Sequence, residues 1–110
     1  MTREFIYVKK FLDKWVMLGL TDDDLLPLEK FIMENPSAGD VIKGAGGLRK
    51  LRWALPGKGK RGGMRIAFID IVFREKVYML DLFPKSEKDN YTDAEKIILK
   101  QLVSRLEEEG

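Results

Sequence analysis

The chain has 110 residues, 45% of them hydrophobic and 35% charged, with 20 Lys and Arg against 18 Asp and Glu for a net charge of +2. That composition belongs to one folded domain spanning residues 1–110 rather than to a disordered segment. The absence of both Cys and His removes disulfides, thiolate and imidazole chemistry, and zinc sites built on those ligands.

Phe5 to Val8 is short, apolar and aromatic, and is expected to be a first strand. From Lys10 to Leu18 the apolar residues Phe11, Trp15 and Leu18 recur at helical spacing, and Gly19 ends the helix. Thr21 followed by Asp22, Asp23 and Asp24 suits the start of a second helix, since carboxylates are favoured at the positive end of its dipole. This helix runs toward Asn35, where Pro36 stops it, with Leu25, Leu28, Phe31 and Ile32 on one face. Pro27 requires either a separate first turn or a kink. The two helices form an antiparallel hairpin.

Leu48 to Ala54 is expected to be a strand with its cations on one side, although Leu51 breaks strict alternation. Pro56 to Gly63 is a loop. Met64 to Phe73, rich in Ile, Val and Phe, is a central strand. It turns at Arg74 and Glu75 into a returning strand from Lys76 to Phe83, which Pro84 ends. Apolar residues on both sides of these strands imply a sheet covered at least partly on each face. Thr92 and Glu95 are spaced as a second capping box, opening a helix to about Glu108. Its core stripe is expected to be Ala94, Ile98, Leu102 and Leu106, with Leu99 and Val103 beside it. The order β-α-α-β-β-β-α is an α+β fold with a mainly antiparallel sheet packed by helices. No stretch approaches the roughly 20 apolar residues of a membrane span, and the N-terminus has no secretory pattern. A cytoplasmic protein without membrane partners is expected.

The small net charge conceals an asymmetry. Residues 43–65 contain eight cations and no acid, whereas the remaining 87 residues hold 12 cations against 18 acids. Seven of the ten glycines lie in the same window. Exposed backbone N–H groups beside Lys and Arg suit phosphate oxygens, although a solvated cationic loop would read the same way.

The central block from Asn35 to Glu87 resembles the RelE/ParE toxin superfamily, and within it the HigB-type toxins of bacterial toxin–antitoxin modules. The likeness is carried by Asn35-Pro36, by Gly39-Asp40-Val41-Ile42-Lys43-Gly44, and by Gly46-Gly47-Leu48-Arg49-Lys50. Gly57-Lys58-Gly59-Lys60-Arg61-Gly62-Gly63, Arg65 and Lys85 complete it. The first 34 residues are similar in pattern only. The resemblance implies a toxin that cleaves mRNA in the ribosomal A site, needs no cofactor or metal, and is held inactive by a cognate HigA-like antitoxin with a helix-turn-helix domain. The ParE branch shares the fold but poisons DNA gyrase, and a non-catalytic RNA-binding module is a further alternative.

RNA cleavage without a metal proceeds by attack of a ribose 2′-OH on the adjacent phosphate. It needs a base, cations for the developing phosphoryl charge, and a proton for the leaving 5′-oxygen. By the resemblance, Arg65 stabilises the transition state and Lys85 binds phosphate or supplies a proton. Lys58, Lys60 and Arg61 clamp the RNA or rRNA backbone, with one of them in proton transfer. A lysine base must be neutral, a form that clustered like charge favours. Arg49, Lys50 and Arg52 are expected to face the same groove. Tyr91 lies near a functional tyrosine of some RelE members, or else covers the start of the last helix. Trp53 stacks a base or belongs to the core. Ordinary alternatives exist for Arg65, an ion pair with Asp70 or Asp81, and for Lys85, a plain surface lysine. Asp70 and Asp81, with no His beside them, make a weak metal pair.

Overall fold

The computed structural model describes residues 2–55 and 63–109. In chain order the elements are β1 (Glu4–Tyr7), α1 (Lys9–Met17), α2 (Asp22–Glu34), β2 (Asp40–Val41), β3 (Arg49–Ala54), β4 (Gly63–Ile71), β5 (Lys76–Pro84) and α3 (Asp93–Glu108). The strands form one five-stranded sheet in the order β1-β5-β4-β3-β2. Every pairing is antiparallel except that of β1 with β5. This is the expected α+β architecture with one addition, the two-residue strand β2. Gly39 admits it: with φ at +77°, it lies so close to β3 that a Cβ there would stand 2.3 Å from the Lys50 carbonyl oxygen.

The sheet carries a core on each face, as the doubly apolar strands require. On one face Phe11, Trp15, Leu28 and Ile32 of the helical hairpin pack on Ile66, Phe68, Met79 and Leu82. The indole N–H of Trp15 donates to the Thr21 carbonyl at 2.9 Å, tying the end of α1 to the start of α2. On the other face Val103 and Leu106 of α3, with Ile42, Ala45 and Leu48, cover Ala67, Ile69, Ile71, Tyr78, Leu80 and Phe83. The β4–β5 register slips once. Ala67 opposes Asp81 and Phe68 opposes Met79, so Leu80 is a bulged residue and Asp81 is re-aimed.

Of the two readings of Pro27, the separate first turn does not form, since α2 continues from Asp22 to Glu34; two other expectations change. Pro27 and Asp23, whose carbonyl is deprived of its N–H partner, are both exposed, so water can satisfy that carbonyl. The turn after β4 is a short 3-10 segment, Val72–Arg74, closed by Glu75 in the left-handed region at φ 55°. The apolar stripe of α3 is rotated from the expected one. Ala94 is exposed and Ile98 is 65% exposed, while Leu99, Leu102, Val103 and Leu106 face the sheet. Gly46, with φ at +73°, sits against Val103 on this face; a Cβ there would meet the valine at 3.3 Å.

Both predicted caps form. The Thr21 N–H donates to Asp24 Oδ2 at 2.8 Å. At α3 the Thr92 N–H donates to Glu95 Oε1 at 2.8 Å, and the Glu95 N–H donates to Thr92 Oγ1 at 3.1 Å. The Lys88 ammonium, 2.9 Å from Glu95, is the first cause that holds the Glu95 carboxyl down to about 2, and the Thr92 N–H is the second. Because the folded value lies below the ordinary 4.5, this cap is fully formed above that pH and is lost as pH falls toward 2. A carbon-detected NMR titration is expected to place the Glu95 midpoint near 2 and to move it up in Lys88→Ala. A wild-type midpoint at the ordinary glutamate value would contradict the assignment.

Candidate functional site

Side-chain alternation on three adjacent strands builds the site. On β3, Lys50 and Arg52 point to the α3 face of the sheet, whereas Leu51 and Trp53 point to the hairpin face. Arg52 lies directly opposite Arg65 of β4, and Arg65 opposite Phe83 of β5. Two residues past Phe83, the Lys85 N–H donates to the Gly63 carbonyl at 3.5 Å. This brings Lys85 beside the start of β4. Arg52, Arg65 and Lys85 line one open groove of about 380 Å³ together with Trp53, Ala54, Gly63 and Met64. Arg52 and Arg65 also line a narrower cleft of about 110 Å³ with Asp40, Lys50 and Asp89.

Arg65 is only 4% exposed. Its Nη2 donates to Asp89 Oδ1 at 2.8 Å, and the Lys50 ammonium donates to the Asp89 backbone carbonyl at 2.7 Å. The hydrogen bond from Arg65, reinforced by the charges of Arg65, Lys50 and Lys85, holds the Asp89 carboxyl below the usual range. Three cations from β3, β4 and the segment after β5 therefore converge on one point. The expected alternative partners of Arg65 are engaged elsewhere: Asp70 accepts from Arg3 Nε at 2.6 Å and Asp81 from the Lys14 ammonium at 2.7 Å.

The structure separates residues expected together. Arg49 does not face the groove. It is one residue out of phase with Lys50 and Arg52, and its guanidinium donates to the Ser37 and Gly39 carbonyls at 2.9 and 3.3 Å. The cations of β3 consequently lie on both sides of the sheet. Tyr91 is buried, its ring edge-on to Phe83 and its hydroxyl donating to Asp81 Oδ2 at 2.8 Å. Burial, then the Asp81 charge, pushes the phenol up from its ordinary value, so Tyr91 is a protonated internal donor and covers the approach to α3. Trp53 is half-buried, its ring 5.5 Å from that of Phe31, and it edges the groove. Lys58, Lys60 and Arg61 lie outside the described residues. Among the described residues, no three His, Cys, Asp or Glu side chains cluster as metal ligands would. Sequence reasoning missed Asp89, which with Glu87 lies in a polar loop that has no periodicity to flag it.

A family model described as the RelE toxin of RelE/RelB toxin–antitoxin systems matches residues 5–109. The chain belongs to the RelE toxin family. It is thus the toxin of a toxin–antitoxin pair, with a cognate antitoxin as partner. The match takes in the N-terminal hairpin, where the sequence likeness is one of pattern alone. Among solved structures, a double arginine-to-alanine mutant of the E. coli toxin RelE in the free state is similar in fold. It is 18% identical with a TM-score of 0.58, over 90% of this chain and 100% of that one. No helix among the described residues of this RelE-family toxin is long and apolar enough to cross a membrane.

Proposed function

We propose that this toxin is a ribosome-dependent mRNA endoribonuclease of the HigB type, acting in the cytoplasm and restrained by a HigA-like helix-turn-helix antitoxin. The observation that carries the reading is the buried Arg65 guanidinium at the meeting point of Lys50, Arg52 and Lys85. Such a cluster is suited to a scissile phosphate.

In the reaction, the 2′-oxygen forms a bond to phosphorus as its proton leaves to a base, and the bond to the 5′-oxygen breaks as that oxygen gains a proton. The products are a 2′,3′-cyclic phosphate and a 5′-OH. Arg65 and Arg52 stabilise the charge on the non-bridging oxygens, which grows in the transition state. Arg65 enters the site already held by its strand, so little reorganisation accompanies the step. Lys85, exposed beside the start of β4, reaches the same phosphate and delivers the proton or holds the leaving side. Lys50 extends the cationic path along the RNA backbone. Lys58, Lys60 and Arg61 act as the clamp on the RNA or rRNA backbone, and one of them takes part in proton transfer. Alignment of the 2′-OH for in-line attack comes from the ribosome, so free RNA is a poor substrate.

The test is a purified translation system with primer extension on the mRNA, run beside a gyrase supercoiling assay. Cuts within translated mRNA, ending in a cyclic phosphate, are expected, with supercoiling unaffected. Intact mRNA with inhibited gyrase would establish the ParE-like activity instead. Intact mRNA with retained, salt-sensitive RNA affinity would establish a binding module.

A further inference from the structure

We propose that Asp89 is an internal stand-in for the substrate phosphate: its carboxylate occupies Arg65 in the resting toxin, and an RNA phosphodiester reaches Arg65 only by displacing it. The proposal rests on the reading of Arg65 as a phosphate-binding group. Its first support is the unequal burial of the pair. The Arg65 side chain is 4% exposed and that of Asp89 73% exposed, so the guanidinium is fixed in the groove and the carboxylate is the partner free to leave. A buried guanidinium without an anion is costly. Exchanging one singly charged oxyanion for another keeps Arg65 paired throughout.

The second support is the shared position. The cations that act on Asp89 are Arg65, Lys50 and Lys85, the same groups that a phosphate in this groove would meet. Asp89 contacts Arg65 through one hydrogen bond, Nη2 to Oδ1, whereas a phosphodiester offers two non-bridging oxygens to the guanidinium fork.

The third support is how the loop is held. Displacing Asp89 breaks the contacts from Arg65 and Lys50. It leaves the Tyr91 hydroxyl on Asp81 and the Thr92–Glu95 cap in place. Movement is centred on Asp89 and Asn90, since the Lys88 ammonium holds Glu95 at 2.9 Å and the Glu87 N–H holds the Pro84 carbonyl at 3.0 Å. The consequence is a threshold: a stray anion gains little by replacing Asp89, and an RNA strand with further contacts to Arg52, Lys50 and Lys85 gains enough.

The experiment measures binding of a 2′-O-methyl trinucleotide, which offers the phosphodiester but cannot be cut, by fluorescence anisotropy. Wild type, Asp89→Asn, Arg65→Gln and the double variant are compared at fixed salt. Asp89→Asn is expected to bind about two- to fivefold tighter, the scale of one exposed ion pair. The gain should vanish in the Arg65→Gln background. In wild type, amide NMR shifts on titration should include Asp89 and Asn90. Equal or weaker binding by Asp89→Asn overturns the proposal, as do unmoved amides at these two residues. Failure of the phosphate-site reading is separately visible: Arg65→Gln would then bind as tightly as wild type. A two-dimensional amide spectrum confirms the fold of each variant, and Arg65→Lys replaces Arg65→Gln if the latter does not fold.

Discussion

Arg65→Ala is expected to lower ribosome-dependent mRNA cleavage by about 100- to 1,000-fold, the usual consequence of deleting one preorganised charge donor from a transition state. The effect is large because Arg65 is held by the middle strand of the sheet and shielded from water, so no neighbouring side chain can take its place. Arg52 is exposed and Lys85 approaches from the end of β5, and both supply charge without the same fixed fork. Arg65→Lys should recover only part of the activity, since an ammonium cannot pair two oxygens in a plane. The fold should survive either change, because the partner lost is a loop carboxylate and not a core contact. Cleavage measured by primer extension, with circular dichroism as the check on folding, decides it. A folded, fully active Arg65→Ala toxin would remove the residue from the mechanism.

Asp81→Ala is expected to carry the largest loss of stability from a single polar residue, about 2–4 kcal/mol. Asp81 is 2% exposed and accepts from the Lys14 ammonium at 2.7 Å, the Tyr91 hydroxyl at 2.8 Å and the Leu82 N–H at 2.9 Å. It joins α1, β5 and the entry to α3 at the Leu80 bulge. Removing it strands the Tyr91 hydroxyl in a buried setting. Lys14, partly exposed, turns to water, which keeps the loss below that of a fully buried pair. Urea unfolding should show a lower midpoint at unchanged slope. Tyr91→Phe, which removes the donor together with its need for a partner, should cost less. An Asp81→Ala midpoint within error of wild type would show that the three contacts contribute nothing net.

Much of the architecture was legible because it rests on local rules. Phe11 and Trp15 at helical spacing, Thr21 before three aspartates, Thr92 before Glu95, and the β-branched run around Ile69 each specify an element through periodicity or capping chemistry. The grouping of Arg65 with Lys85 came from the family resemblance, and the two line one groove. The misplacement of Arg49 is instructive. Strand period alone puts residues 49 and 52 on opposite faces, and the expectation of one cationic side passed over that rule. The α3 stripe was right at Leu102 and Leu106, with Leu99 and Val103 beside them, and wrong at Ala94 and Ile98. Helical spacing alone admits both sets, and which of them is covered depends on distant residues such as Ile42, Ala45 and Leu48 packing on the same face.

Composition and pattern by themselves determined that this toxin has no histidine or cysteine chemistry, an α+β order of elements, and a cationic, glycine-rich middle third. Those are properties of residue type and near neighbours along the chain. Only the tertiary structure decided that Lys50, Arg52, Arg65 and Lys85 meet while Arg49 does not, that Tyr91 is committed to Asp81, and that Asp89 rests on Arg65. Each of these depends on strand register, a single bulge, or a contact spanning tens of residues, and local spacing carries no information about which distant side chains the sheet will bring together.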